Sequence, residues 1–205
     1  MKTIIFFIVL FFLVINVYAQ EIGISPTKVW TNNYEIENPV GFSVHLSQPI
    51  GRIVVKAEYV SSVKNERSYY GFLYGGFIVD PVNQVQEPLT SNSSFSSVEF
   101  SLLIPELINV LQNQLNIGAG FSVDKFSRDK IGLSSGRSFK TDENKFGLFY
   151  SVSLSRQDVL GLPVKLGILF KHKALMEGNF ATDAEQPFTG AMDIKELQFN
   201  FTYIF

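Results

Sequence analysis

Two histidines and a scatter of charged residues set inside apolar stretches are the side chains of this 205-residue chain with most scope for chemistry. His172 stands in Lys171-His172-Lys173, where an imidazole can act as general base to a serine hydroxyl, or the three basic groups can together hold a phosphate. His45 lies one turn before Lys56 and Glu58. Neither histidine has a second histidine or a glutamate at the spacing that puts two ligands on one helix face, so no metal site is expected. With no cysteine there is no thiolate ligand and no disulfide. Gly71, Gly75 and Gly76 lie among Tyr and Phe without the lysine of a phosphate-binding loop, and read as loop glycines. No catalytic constellation and no cofactor motif emerges. A net charge of −2 and a pI near 5.7 argue against a nucleic-acid partner.

The remaining charges gain meaning from the elements that carry them. Residues 40–47 alternate, with Val40, Phe42, Val44 and Leu46 on one face and His45 on the other. After a turn at 48–52, Ile53, Val55, Ala57 and Tyr59 oppose Val54, Lys56 and Glu58. Residues 94–104 set Val98, Phe100, Leu102 and Ile104 against Ser97, Glu99 and Ser101, and Pro105 then predicts a bulge or the end of pairing. Residues 115–124, 145–155 and 164–171 repeat the pattern, with Asp124, Lys165 and Lys171 on polar faces. Connections alternate short (48–52, 106–114, 156–162) and long (63–93, 126–144, 175–193).

The last nine residues carry Leu197, Phe199, Phe201, Tyr203 and the terminal Phe205 on one face, with Glu196, Gln198, Asn200 and Thr202 on the other. Apolar outside, polar inside, aromatics at the girdle and alternating connection lengths are the habits of transmembrane β-barrels. The chain is therefore expected to be all-β: an antiparallel up-and-down transmembrane barrel. An even strand count is met by adding 21–30 as the first strand, with Pro26 at a bulge and 31–39 as the first outer loop. Eight strands result, with 69–80 assigned to the second outer loop; a further strand within 82–94 would make ten. At the other end, Lys2, an apolar run over 4–17 and Val17-Tyr18-Ala19 read as a signal peptide over 1–19, leaving one barrel domain over 20–205.

The polar faces of the strands bring together His45, Lys56, Glu58, Glu99, Asp124, Lys165, Lys171 and Glu196, with Glu21, in an interior that an eight-stranded barrel fills with side chains. Buried charges must pair, so the expectation is an ion-paired plug, and the chain is too short for the ~16 strands of an open porin. Phe199, Phe201, Tyr203 and Phe205 resemble the C-terminal signal read by the barrel-assembly machinery.

The order of segments, and especially Phe100-Ser101-Leu102-Leu103-Ile104-Pro105 followed by Leu115-Asn116-Ile117-Gly118-Ala119-Gly120, resembles the outer-membrane β-barrel family common in Bacteroidetes-type bacteria, related in architecture to OmpA- and OmpX-type barrels. The resemblance spans about residues 20–205 and implies a fold more than an activity. It leads to the expectation of a non-enzymatic, monomeric protein of the outer membrane, structural or surface-interacting. Its partners are then membrane lipid, lipopolysaccharide, the assembly machinery and an extracellular ligand or host surface met by the long loops. The alternatives are a lipid A-modifying enzyme using His172 with a nearby loop serine, and a narrow gated pore.

Overall fold

The computed structural model describes residues 21–31, 39–62, 65–72, 86–110, 113–136, 138–176 and 192–205. They contain nine strands: β1 (Glu21–Thr31), β2 (Val40–Ile50), β3 (Ile53–Ser62), β4 (Asn65–Phe72), β5 (Gln86–Val110), β6 (Asn113–Gly132), β7 (Ser138–Arg156), β8 (Val164–Leu175) and β9 (Met192–Ile204). All pair antiparallel in the order β3-β2-β1-β9-β8-β7-β6-β5-β4, and β3 also pairs with β5. That last pairing closes the sheet, so eight strands form the wall and β4 stands outside the ring. Closure gives each wall strand a partner on both sides and satisfies its backbone without water.

Two-residue alternation sorts the side chains as the sequence predicts. Along β1 the buried residues are Gly23, Ser25, Thr27 and Val29, and Ile22, Ile24 and Trp30 are exposed. On the outer surface Phe100, Phe121 and Phe146 stack from strand to strand, with centroids 5.4 and 6.0 Å apart. The inner face is mostly serine and charge. The bulge expected near Pro105 is present: pairing jumps from Ile104↔Ile117 to Ile108↔Leu115, leaving two extra residues on β5.

Three expectations change. Pro26 does not make a bulge. The β1–β9 ladder passes from Ile24↔Phe201 to Thr27↔Gln198 in unbroken register, skipping Ser25 and Pro26, and the Ser25 hydroxyl spans the gap by donating to Asn200 Oδ1 at 2.6 Å. Among the described residues no tenth strand lies within 82–94. Residues 86–93 are the outer end of β5 itself, extended beyond β3 and paired with β4, which takes up 65–72; residues 73–80 of the stretch assigned to the second loop lie outside the described residues. The polar connection 126–144 is mostly strand, because β6 and β7 stay paired out to Ile131↔Ser138. Polar side chains on both faces hid this extension, since inward Arg128 and Glu143 are charged although buried and so break the apolar–polar alternation that marks a strand. Residues 1–19, expected as a signal peptide, and most of the first and fourth expected outer loops also lie outside the described residues.

Candidate functional site in the barrel lumen

Inward side chains fill the barrel in layers. At the end holding both termini, Lys165 Nζ donates to Glu21 at 2.5 Å and the Ser47 hydroxyl to the same carboxylate at 2.8 Å. The Asn116 amide donates to Ser153 and Ser155 at 3.2 and 3.3 Å. Above them lies a polar chamber of about 60 Å³, walled in part by His45, Lys56, Ser151, Lys165, Lys171 and Asn200. A water needs about 10–15 Å³ measured this way, so the chamber has room for several. His45 lies across it with Nε2 3.1 Å from the Thr202 hydroxyl. The ring fits only because its neighbour is Gly23, where any Cβ would collide with it.

The next layer is a compact ion cluster. Lys171 donates to Glu58 at 2.7 Å and Glu99 at 2.6 Å, with Glu196 at 3.7 Å. Lys56 reaches Glu58 at 2.9 Å. Lys173 pairs with Glu99, with Asp124 at 3.2 Å and with Glu196 at 2.6 Å, and donates to the Ser97 hydroxyl at 3.2 Å. All seven charged residues are buried. Sharing Lys171 and Lys173 among three carboxylates each is what makes such burial tolerable, since one charge left alone there costs several kcal/mol. The cations also lie near aromatic rings: Lys171 is 5.7 Å from the Phe149 centroid and Lys173 5.2 Å from that of Phe95.

One or two inward positions further out, the wall changes character. Val29, Val60, Phe95, Phe126, Leu175 and Ile194 form one buried apolar cluster, with the Phe95 and Phe126 rings 5.2 Å apart. Most of them follow an ion-cluster residue outward along the same strand: Val60 after Glu58, Phe126 after Asp124, Leu175 after Lys173, Ile194 after Glu196. Five strands and β1 thus turn from charge to hydrocarbon at one level. Beside it on β7, Glu143 stands opposite Phe126 and Lys145 opposite Asp124, and the two lie 3.8 Å apart, both buried.

The structure places His45, Lys56, Glu58, Glu99, Asp124, Lys171 and Glu196 in or beside the central cluster, and Lys165 in the terminal-end layer with Glu21. The sequence-level group misses Lys173, which is fully buried and makes three of the ion pairs. Its two-residue offset from Lys171 was the available signal. This also corrects the basic cluster at 171–173: two of its members face inward, so His172 alone is on the outer wall. There its Nδ1 is 3.0 Å from the Tyr150 hydroxyl and its Nε2 3.9 Å from Asp193. Among the described residues the partners of His172 are a phenol and a carboxylate, with no serine nucleophile. At the C-terminus Phe199, Phe201, Tyr203 and Phe205 are all outward and exposed, and the last two rings meet edge to face at 5.1 Å.

No protein-family model and no curated protein matches the chain. Solved structures do. The crystal structure of Neisserial surface protein A is similar over 90% of this chain and 95% of that one, with a TM-score of 0.53 and 13% identity. Ail, the attachment invasion locus protein of Yersinia pestis, matches over 90% and 95% with a TM-score of 0.51 and 12% identity. A major outer membrane protein from Thermus thermophilus matches over 90% and 98% with a TM-score of 0.53 and 10% identity. This is the fold of the eight-stranded outer-membrane β-barrels.

At 10–13% identity the likeness is one of architecture. Among the described residues of this barrel, no helix is long and apolar enough to cross a membrane; the outer-membrane fold crosses with strands. The interior is ordered as a polar chamber, an ion cluster and then a buried apolar cluster.

Proposed function

We propose that the protein is a non-enzymatic, monomeric barrel of the outer membrane that presents a rigid extracellular sheet for contact with a ligand or host surface. The observation that carries this reading is the length of β4, β5, β6 and β7 beyond the wall: residues 65–72 pair with 86–93, and 89–93 in turn with 128–132, which continue into β7. Strand pairing maintained so far past the apolar belt holds recognition residues in place at lower entropic cost than a free loop. Among the described residues β4 has no partner on its far side, so its backbone can accept a strand from another molecule.

The interior supports a structural role over transport. An ion cluster next to a buried apolar cluster favours a filled lumen. Among the described residues His172 meets a phenol and a carboxylate, which favours the non-enzymatic reading over a lipid A-modifying enzyme. The exposed aromatic stripe ending in Phe205 suits delivery by the barrel-assembly machinery, and the exposed outer wall suits membrane lipid and lipopolysaccharide.

Cells displaying the protein test this directly. Successive residues of a strand turn their N–H groups to opposite sides, so of Tyr69→Pro and Tyr70→Pro one blocks the free edge while leaving the β5 ladder intact. Adhesion to host cells or matrix should fall at least tenfold in that variant, with equal surface display and an unchanged heat-dependent gel shift. Equal adhesion by wild type, both variants and empty-vector cells overturns the reading.

A further inference from the structure

We propose that the chain-terminal rim of the barrel is a membrane-seated foot, in which Leu160 and Leu162 enter the acyl edge of the inner leaflet and Arg52 and Arg156 meet lipid phosphates. The proposal rests on the membrane-spanning reading above and adds what sets the depth of insertion.

The β7–β8 turn is the starting point. It runs Asp158-Val159-Leu160-Gly161-Leu162-Pro163, with a single short helical turn closed by Leu162 N–H donating to Val159 O at 3.2 Å. Asp158 and Leu160 sit at φ 53° and 58°, in the left-handed region. Aspartate visits that region with modest cost; leucine rarely does. The strained Leu160 is also 93% exposed, so no contact within the barrel accounts for its position. Strain at a residue that the fold itself does not use points to a contact outside the chain.

The neighbours identify that contact as lipid. Ile204 N–H donates to Pro163 O at 2.9 Å and Val164 pairs with Tyr203, which ties the turn to the C-terminal strand at the same height. Leu160 and Leu162 therefore extend the outward stripe of Phe201, Tyr203 and Phe205. Across the barrel the same level repeats the pattern: Ile50 and Ile53 pair across the Gly51-Arg52 turn and are exposed, as are Leu107 and Ile108 at the β5 bulge. A rim bathed in water has no use for exposed apolar side chains at two turns and at the end of β5. Arg52 and Arg156 are exposed among these tips, where a long side chain can lie along the hydrocarbon and carry its guanidinium to phosphate. Asp158 is the acidic group on the same turn and faces solvent. With the rim seated in the bilayer, the surplus strand length of β4 to β7 projects to the other side.

Trp30 is the sole tryptophan, so Trp30→Phe gives a silent background for Leu160→Trp. In vesicles of phosphatidylethanolamine and phosphatidylglycerol, the tryptophan is expected to emit blue-shifted light, to be quenched at least twofold by lipid brominated high on the acyl chain, and to be shielded from aqueous iodide. Emission and iodide quenching like those of free tryptophan overturn the foot. Phe201→Trp in the same background serves as the belt control: quenching there but not at Leu160→Trp rejects the foot alone, and quenching at neither rejects the spanning reading itself.

Discussion

Lys173 is the side chain on which the interior most depends. It is fully buried and in contact with Glu99, Asp124 and Glu196, so Lys173→Met removes the cation that these three carboxylates share. The expected cost is about 3–5 kcal/mol, read from denaturant unfolding of the refolded protein in detergent. Adding Glu196→Gln should restore part of it, since the two changes share one network. Thr202→Val removes the bond to His45 and should cost about 1 kcal/mol. Gly23→Ala should cost more than Thr202→Val, because the methyl displaces the imidazole itself. By contrast His172→Ala, on the outer wall, should change stability by less than ~0.5 kcal/mol and leave the lipid A mass spectrum of expressing cells unchanged. A new or lost lipid A species would restore the enzyme reading.

Strands of unequal length separate the wall from what it carries. β6 and β7 pair over nineteen positions, from Asn113↔Arg156 to Ile131↔Ser138, whereas β8 meets β7 only up to Gly147↔Leu175. The outer portion is thus a hairpin built on the barrel and not part of its closure. Replacing residues 129–140 by Asn-Gly joins the paired Arg128 and Thr141 through a two-residue turn of the favoured kind. The shortened protein should keep its heat-dependent gel shift and lose ligand contact. Failure of the shift would mean that the hairpin is needed to close the wall.

At the scale of the whole molecule, the hydrocarbon layer decides whether the lumen conducts. The wild-type barrel is expected to show no channel steps in a planar bilayer, because the buried apolar cluster around Phe95 and Phe126 lies next to the ion cluster. Phe126→Ser with Leu175→Ser wets that layer and should introduce cation- or anion-selective steps; silence in the double variant would show that the ion cluster alone blocks the path. By itself the sequence determined the architecture, since period-two alternation, the C-terminal stripe and the parity of the strands follow from strand geometry and the need to pair every backbone group in lipid. It also marked the inward charges strand by strand, because a charge on an alternating apolar stretch has only one face to go to. Only the tertiary structure decided which charges meet, that Lys173 joins them, and that Val29, Val60, Phe95, Phe126, Leu175 and Ile194 come to one level. The reason is stagger: which residues share a layer depends on the register between strands far apart in the chain, and an apolar residue on an inward position looks, in one strand, like a lapse in the pattern rather than one sixth of a seal.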